Sequence, residues 1–175
     1  MREYVLEDGP FTVTLDASKY NILVPGMSTD DPALVRSGLI PSPFDSYMSI
    51  LDKSLLMFDI NEKMPASCRF SIRIKDKKYE GIDMATDAAA DAISQLNMIY
   101  LGFEGTGASN KEIVYINDVP YLKFDFMGGT QKRYATIVNE DMIYIWAECD
   151  SGTVTEKDAA ILLEIVESIK YPGKA

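Results

Sequence analysis

Hydrophobic and polar positions alternate most cleanly where Cys68, Phe70, Ile72 and Ile74 interleave with Arg69, Ser71, Arg73 and Lys75. That period of two predicts a strand with one buried face. Shorter strand patterns precede it at Arg2–Leu6, Phe11–Leu15, Tyr20–Val24 and Leu55–Ile60. Glu7-Asp8-Gly9-Pro10 separates the first two, and Pro25-Gly26 stops the third. Thr29-Asp30-Asp31-Pro32 starts a short helix ending near Gly38, with Pro in the first turn, where its missing N–H costs nothing. After Ser42-Pro43, the apolar residues Phe44, Tyr47, Met48 and Leu51 again fall at helical spacing.

The second half begins with an Ala-rich helix pattern over Asp83–Ile99. Its stripe of Met84, Ala88, Ala92 and Leu96 is small enough to lie close to a sheet. Gly102–Lys111 reads as a loop, followed by strands at Glu112–Ile116, Tyr121–Met127, Lys132–Val138 and Met142–Glu148. In the last of these both alternating sets, Ile143/Ile145/Ala147 and Met142/Tyr144/Trp146, are largely apolar, which predicts a central strand covered on both faces. Asn139-Glu140-Asp141 joins it to the strand before. Thr155-Glu156-Lys157-Asp158 has the form of a capping box. The helix it opens presents Ala159, Leu162, Leu163, Val166 and Ile169 on one face. Neighbouring strands with helices inserted between some of them predict an antiparallel α+β class.

Several of these segments resemble the PsbP-like superfamily. Tyr134-Ala135-Thr136-Ile137-Val138-Asn139 with Ile143-Tyr144-Ile145 is similar to its closing hairpin. Ile165-Val166-Glu167-Ser168-Ile169-Lys170-Tyr171 is similar to the ending of its bacterial members. Tyr4-Val5-Leu6-Glu7 and Phe11–Leu15 resemble its opening strands, and Asp31-Pro32-Ala33-Leu34 with Tyr47-Met48 resembles a helical insertion of uncharacterised Firmicutes proteins. The resemblance implies one domain over residues 1–175, with a short helical insertion at about 31–53. It implies an antiparallel sheet of six or seven strands packed between helices as an α/β/α sandwich, the fold shared with a Ran-binding nuclear-import factor. Members of that superfamily are mainly binding or accessory proteins, and the shared motifs (cap, core stripe and hairpin) are structural.

Composition narrows the chemistry. A chain of 175 residues with 47% hydrophobic content suits one globular domain with a proper core. No apolar run reaches the ~18 residues of a membrane span. No signal-peptide pattern opens the chain, so the reading is cytoplasmic as written, or exported to the envelope if a leader preceded Met1. Seventeen basic against 27 acidic residues give a formal charge of −10. That balance argues against nucleic acid and anionic lipid as partners and favours a basic protein. Histidine is absent, which removes His-dependent nucleophile systems and the commonest metal ligand. Cys68 and Cys149 are too few for a disulfide framework and read as buried free thiols, a single bridge being the alternative for an exported protein.

Three constellations invite a functional reading. Asp83, Asp87 and Asp91 fall at helical i, i+4 and i+8 spacing, a docking strip for a basic partner, a weak cation site, or the solvent face of an amphipathic helix. Gly105-Thr106-Gly107-Ala108-Ser109-Asn110-Lys111 lacks the spacing of a phosphate-binding loop and is followed by a strand pattern, so it reads as a connection. Tyr115, Tyr121, Tyr134, Tyr144 and Trp146 lie in adjacent strands and read as sheet core, with a ligand groove as the alternative. Neither a catalytic nor a cofactor motif emerges. The expectation is a non-catalytic accessory or protein-interaction domain, with small-molecule binding in a pocket beside the sheet second and a carboxylate-based hydrolase third.

Overall fold

The computed structural model describes residues 1–5, 11–39, 54–86 and 90–172. The elements in chain order are β1 (Arg2–Val5), β2 (Thr12–Leu15), β3 (Tyr20–Leu23), α1 (Pro32–Ser37), β4 (Ser54–Asp59), β5 (Cys68–Lys78) and α2 (Ala90–Leu101). They continue with β6 (Ser109–Ile116), β7 (Val119–Phe126), β8 (Gln131–Val138), β9 (Asp141–Cys149), α3 (Glu156–Glu167) and β10 (Ile169–Lys170). The fold is α+β. A seven-stranded sheet runs β3-β4-β5-β9-β8-β7-β6, and a three-stranded sheet runs β1-β2-β10. Every pairing among the described residues is antiparallel.

Strand β9 occupies the middle of the large sheet, between β5 and β8, as its doubly apolar pattern predicts. Ile143, Ile145 and Ala147 are buried on one face, Met142 and Tyr144 on the other. The first face pairs Cys68 with Cys149 and Ile72 with Ile145, and Ile145 in turn with Tyr134. Helix α3 and the small sheet cover it: Leu162, Ile165, Val166 and Ile169 join Phe11, Val13 and Leu15 in the core. On the opposite face, Tyr100 of α2 and the following Phe103 pack edge-on or tilted against Phe124, Phe126 and Tyr144. A separate small cluster of Leu23, Leu34, Leu56, Phe58 and Ala66 seats α1 against β3 and β4.

Helix α3 has the predicted start. The Thr155 Oγ1 accepts from the Asp158 N–H at 3.2 Å, and the Asp158 carboxylate accepts from the Thr155 N–H at 3.1 Å. Its end differs from expectation, because the helix stops at Glu167 and Ile169–Lys170 turns into a strand paired with Val13 and Thr12. Ile169 therefore reaches the core from a strand rather than from the helix stripe. A second difference lies at the Ala-rich segment, where the described helix spans Ala90–Leu101 rather than starting at Asp83. The residues before it are pinned to the sheet: Met84 N–H donates to the Ile137 carbonyl, and Glu140 N–H donates to the Ile82 carbonyl, both at 2.9 Å. Backbone groups committed to a sheet edge cannot close helical hydrogen bonds, so Met84 is buried from a turn. Residues 87–89 lie outside the described residues.

Two of the hairpin connections are shorter than their sequences suggest. Strands β8 and β9 meet across only Asn139-Glu140, both at positive φ (49° and 66°), because Asp141 already pairs with Val138. Positive φ at both central positions matches the right-handed strand twist. Glu140 is an unusual residue there, and its carboxylate accepts from the Gly81 N–H at 2.8 Å. Asn117-Asp118 makes the same kind of turn between β6 and β7. Strand β6 also begins at Ser109, within the stretch expected to be loop, because Ser109 already pairs with Asp125. In the 31–53 region the described helix is Pro32–Ser37, capped by Asp31 and closed by left-handed Gly38. The helical spacing at Phe44, Tyr47, Met48 and Leu51 lies outside the described residues.

Candidate functional site

The expected acidic strip is described only at Asp83 and at the backbone of Asp91. Asp83 precedes α2 and turns back on its own segment, accepting from the Ala85 N–H at 3.0 Å and from the Thr86 hydroxyl at 3.0 Å. Asp87 lies outside the described residues, and only the backbone of Asp91, in α2, is described. Of the five strand aromatics, Tyr121, Tyr134 and Tyr144 are buried and Trp146 is half-buried, whereas Tyr115 is exposed. The aromatics are thus mainly core, as their alternation in strands implies.

The groove of greatest interest lies between the two sheets. It has a volume of about 460 Å³ and is lined along its length by β1, by Tyr20 and Ile22 of β3, and by Met27, Ala33 and Arg36 near or within α1. Both strands are sheet edges, since β1 pairs only with β2 and β3 only with β4 among the described residues. On β3 the Lys19 carbonyl accepts from the Ile60 N–H at 2.9 Å, in register with the β4 pairing. Antiparallel alternation then turns the main-chain groups of Asn21 and Leu23 toward β4 and those of Ile22 away from it, toward the groove. The neighbouring donors on that side are already used, Tyr20 N–H by the Asp16 carbonyl and Val24 N–H by the Met27 sulfur at 3.2 Å.

Buried Asn21 organises the wall. Its side-chain oxygen accepts from Arg36 Nε at 3.1 Å, and its amide donates to the carbonyls of Ile60 and Glu62 at 3.4 Å each. Arg36 is thereby held at the rim by a residue of the sheet, and α1 is fixed relative to β3. Across the groove the Arg2 guanidinium lies 5.3 Å from the Tyr4 ring centroid. Burial pushes the Tyr4 and Tyr20 hydroxyls above their usual pKa, the Asp31 charge adding to the rise at Tyr4. Both therefore remain neutral donors at physiological pH. The groove combines apolar walls, two phenols, and charges of both signs from Arg2, Glu3, Asp31 and Arg36.

A second concavity of about 420 Å³ lies beside α2, bounded by Lys75, Tyr79, Gln95, Met98, Phe103 and Tyr144 among others. The Lys75 ammonium sits 5.3 Å from the Tyr144 ring centroid. Partial burial and the nearby Arg73 and Arg133 charges lower its pKa. Next to this cavity, the Arg133 guanidinium stacks 4.4 Å from the Phe126 centroid and 5.6 Å from that of Phe103. Gln131 connects it to Glu148, accepting from Arg133 Nε at 2.8 Å and donating to Glu148 at 2.9 Å. Arg69 then bridges Glu148 and Asp150. This ladder crosses β8, β9 and β5 on one face. Lys75 was visible in the sequence as a polar position of the alternating strand at residues 68–75. Arg133 was not, because one Arg in an otherwise ordinary strand carries no spacing signal.

No family model and no curated protein matches this chain.

Proposed function

We propose that this chain is a non-catalytic interaction domain of PsbP-like architecture, taking an extended, basic segment of a partner protein into the groove between β1 and β3. The observation that carries this reading is that two strands, each paired on one side only among the described residues, border one groove. An unpaired edge is a template for a further strand. In that mode main-chain hydrogen bonds supply affinity, and side-chain pockets at alternate positions supply specificity. Here the Ile22 main chain supplies the template, while Tyr4, Tyr20, Val24 and Met27 supply apolar walls. The net charge of −10 favours a basic segment through long-range attraction. The resemblance to a superfamily of accessory proteins points the same way.

Peptides selected by display on the immobilised domain test this, with affinities measured by fluorescence anisotropy. The winners should alternate apolar with Lys or Arg residues and should lose affinity when alternate peptide amides are N-methylated. Ala33→Trp, which fills the groove, should abolish binding without lowering the unfolding midpoint. Affinity that survives both changes would sink this reading. A second reading, a small anionic ligand beside the sheet, is favoured by Lys75 facing the cavity beside α2. An anionic naphthalene sulfonate should then bind the folded protein and lose affinity in Lys75→Gln but not in Ala33→Trp; equal binding to both variants would count against it.

A further inference from the structure

We propose that Cys68 and Cys149 are the two halves of a cross-strand disulfide, closed by exchange with a low-molecular-weight disulfide and stapling the start of β5 to the end of β9. The two residues are 81 apart in sequence yet directly opposite in register. Asp150 N–H donates to the Ser67 carbonyl at 3.1 Å, so residues 67 and 150 form a hydrogen-bonded pair and the next position, 68 with 149, a non-hydrogen-bonded one. Such pairs bring their Cα atoms to about 4.5 Å and their side chains closer still. Disulfides span Cα separations of about 4.4–6.8 Å, so closure needs side-chain rotation rather than strand movement. Both thiols are free here, and the Cys149 thiol donates to the Cys68 sulfur at 3.1 Å.

The surroundings favour the closed form. Cys68 opens β5 and Cys149 ends β9, so the pair sits at the rim of the sheet, with Cys68 half-buried and Cys149 buried. A carboxylate oxygen of Asp158, in the first turn of α3, lies within 4.8 Å of both sulfurs. Burial, the Cys149 thiol and the Asp158 charge all push the Cys68 thiol well above its ordinary pKa. A thiolate beside that carboxylate is disfavoured, whereas a disulfide there carries no charge. Stabilising the thiolate is what makes a dithiol couple oxidising, so the opposite environment makes the bridge resistant to reduction.

The chemistry proceeds in two exchanges. The more accessible Cys68 loses its proton to solvent and attacks one sulfur of the external disulfide, whose S–S bond breaks to release a thiolate. Cys149 then loses its proton and attacks Cys68 Sγ, breaking the mixed disulfide and expelling the second thiolate. Two protein thiols are oxidised, one external disulfide is reduced to two thiols, and the released protons return to those leaving groups. The raised thiol pKa makes the first exchange slow near neutrality and faster with alkali.

The test uses the full chain, fully reduced and equilibrated with oxidised and reduced glutathione in the presence of a chelator, then quenched with a maleimide and weighed intact. The expected product has lost two hydrogens and both alkylation sites together, carries no glutathione, and unfolds at a higher urea concentration than the reduced protein. Cys149→Ser should stop at a single glutathione adduct. Asp158→Asn, which keeps a capping acceptor, should close faster than the parent at the same pH and so reports on the site even if the Cys149 variant misfolds. Independent alkylation of the two thiols across all buffers, or a product with two glutathiones, would overturn the proposal. So would a stoichiometric zinc ion retained by the reduced protein that shields both thiols from oxidation. That result would make the two sulfurs and Asp158 a metal site instead.

Discussion

The hydroxyls of Tyr121 on β7 and Tyr171 after β10 meet at 2.6 Å inside the core. The residues are 1% and 5% exposed, and among the described residues each hydroxyl is the other's only hydrogen-bond partner. Replacing Tyr121 by Phe keeps the ring contacts with Tyr134 but leaves the Tyr171 hydroxyl without a partner and without water. An unsatisfied buried polar group costs about 1–3 kcal/mol, so each single Tyr→Phe change should destabilise the protein by roughly 2 kcal/mol. The double change removes donor and acceptor together and leaves two apolar rings in the same places. Its cost should be well under the sum of the singles, near zero to about 1 kcal/mol. Urea unfolding followed by tyrosine and tryptophan fluorescence measures this. With a slope of about 2 kcal/mol per molar, each single variant should lower the midpoint by about 1 M at unchanged slope. Single variants indistinguishable from the parent, or a double variant that loses the sum of both, would refute the claim that this pair is buried and mutually dependent.

Two further outcomes follow from the same reasoning. Thr155→Ala removes the hydroxyl that caps α3 and should cost about 1 kcal/mol in urea unfolding, whereas Thr155→Ser, which keeps the acceptor, should cost much less. Burial raises the Tyr144 hydroxyl from 10.0 to about 12, so the unfolded chain ionises first and binds fewer protons as pH rises. Stability is then fully present below pH ~10 and should fall by about 1.4 kcal/mol per pH unit for this residue alone until its folded pKa is reached. Tyr144→Phe should remove that share of the slope, and an unchanged slope would show that the ring is solvated.

The expected class is present: an α+β chain with a seven-stranded antiparallel sheet. Among the described residues no helix is long and apolar enough to cross a membrane. The expected strand at residues 68–75 is present and extends to Lys78, and the capping box at Thr155 and Asp158 is reciprocal. These features are legible because each is encoded within a few residues, as an alternation or a fixed spacing. The docking strip of Asp83, Asp87 and Asp91 was inferred from the same kind of local spacing. Asp83 lies before the described helix because tertiary hydrogen bonds from Met84 and to Ile82 hold that segment against the sheet.

The sequence by itself determined where strands alternate, where α3 begins, the chain's acidity, and the exclusion of histidine chemistry. Tertiary structure alone decided that Ile169–Lys170 leaves the helix to pair with β2 as the third strand of the small sheet, and that β1 and β3, each paired on one side only among the described residues, border one groove. It also decided that Cys68 faces Cys149 across β5 and β9 and that Arg133 stacks among Phe103, Phe126 and Trp146. The physical reason is common to all three. Local propensity acts through neighbours along the chain, whereas strand order and register bring together residues tens of positions apart, and no periodicity within one segment records which strand will lie beside it.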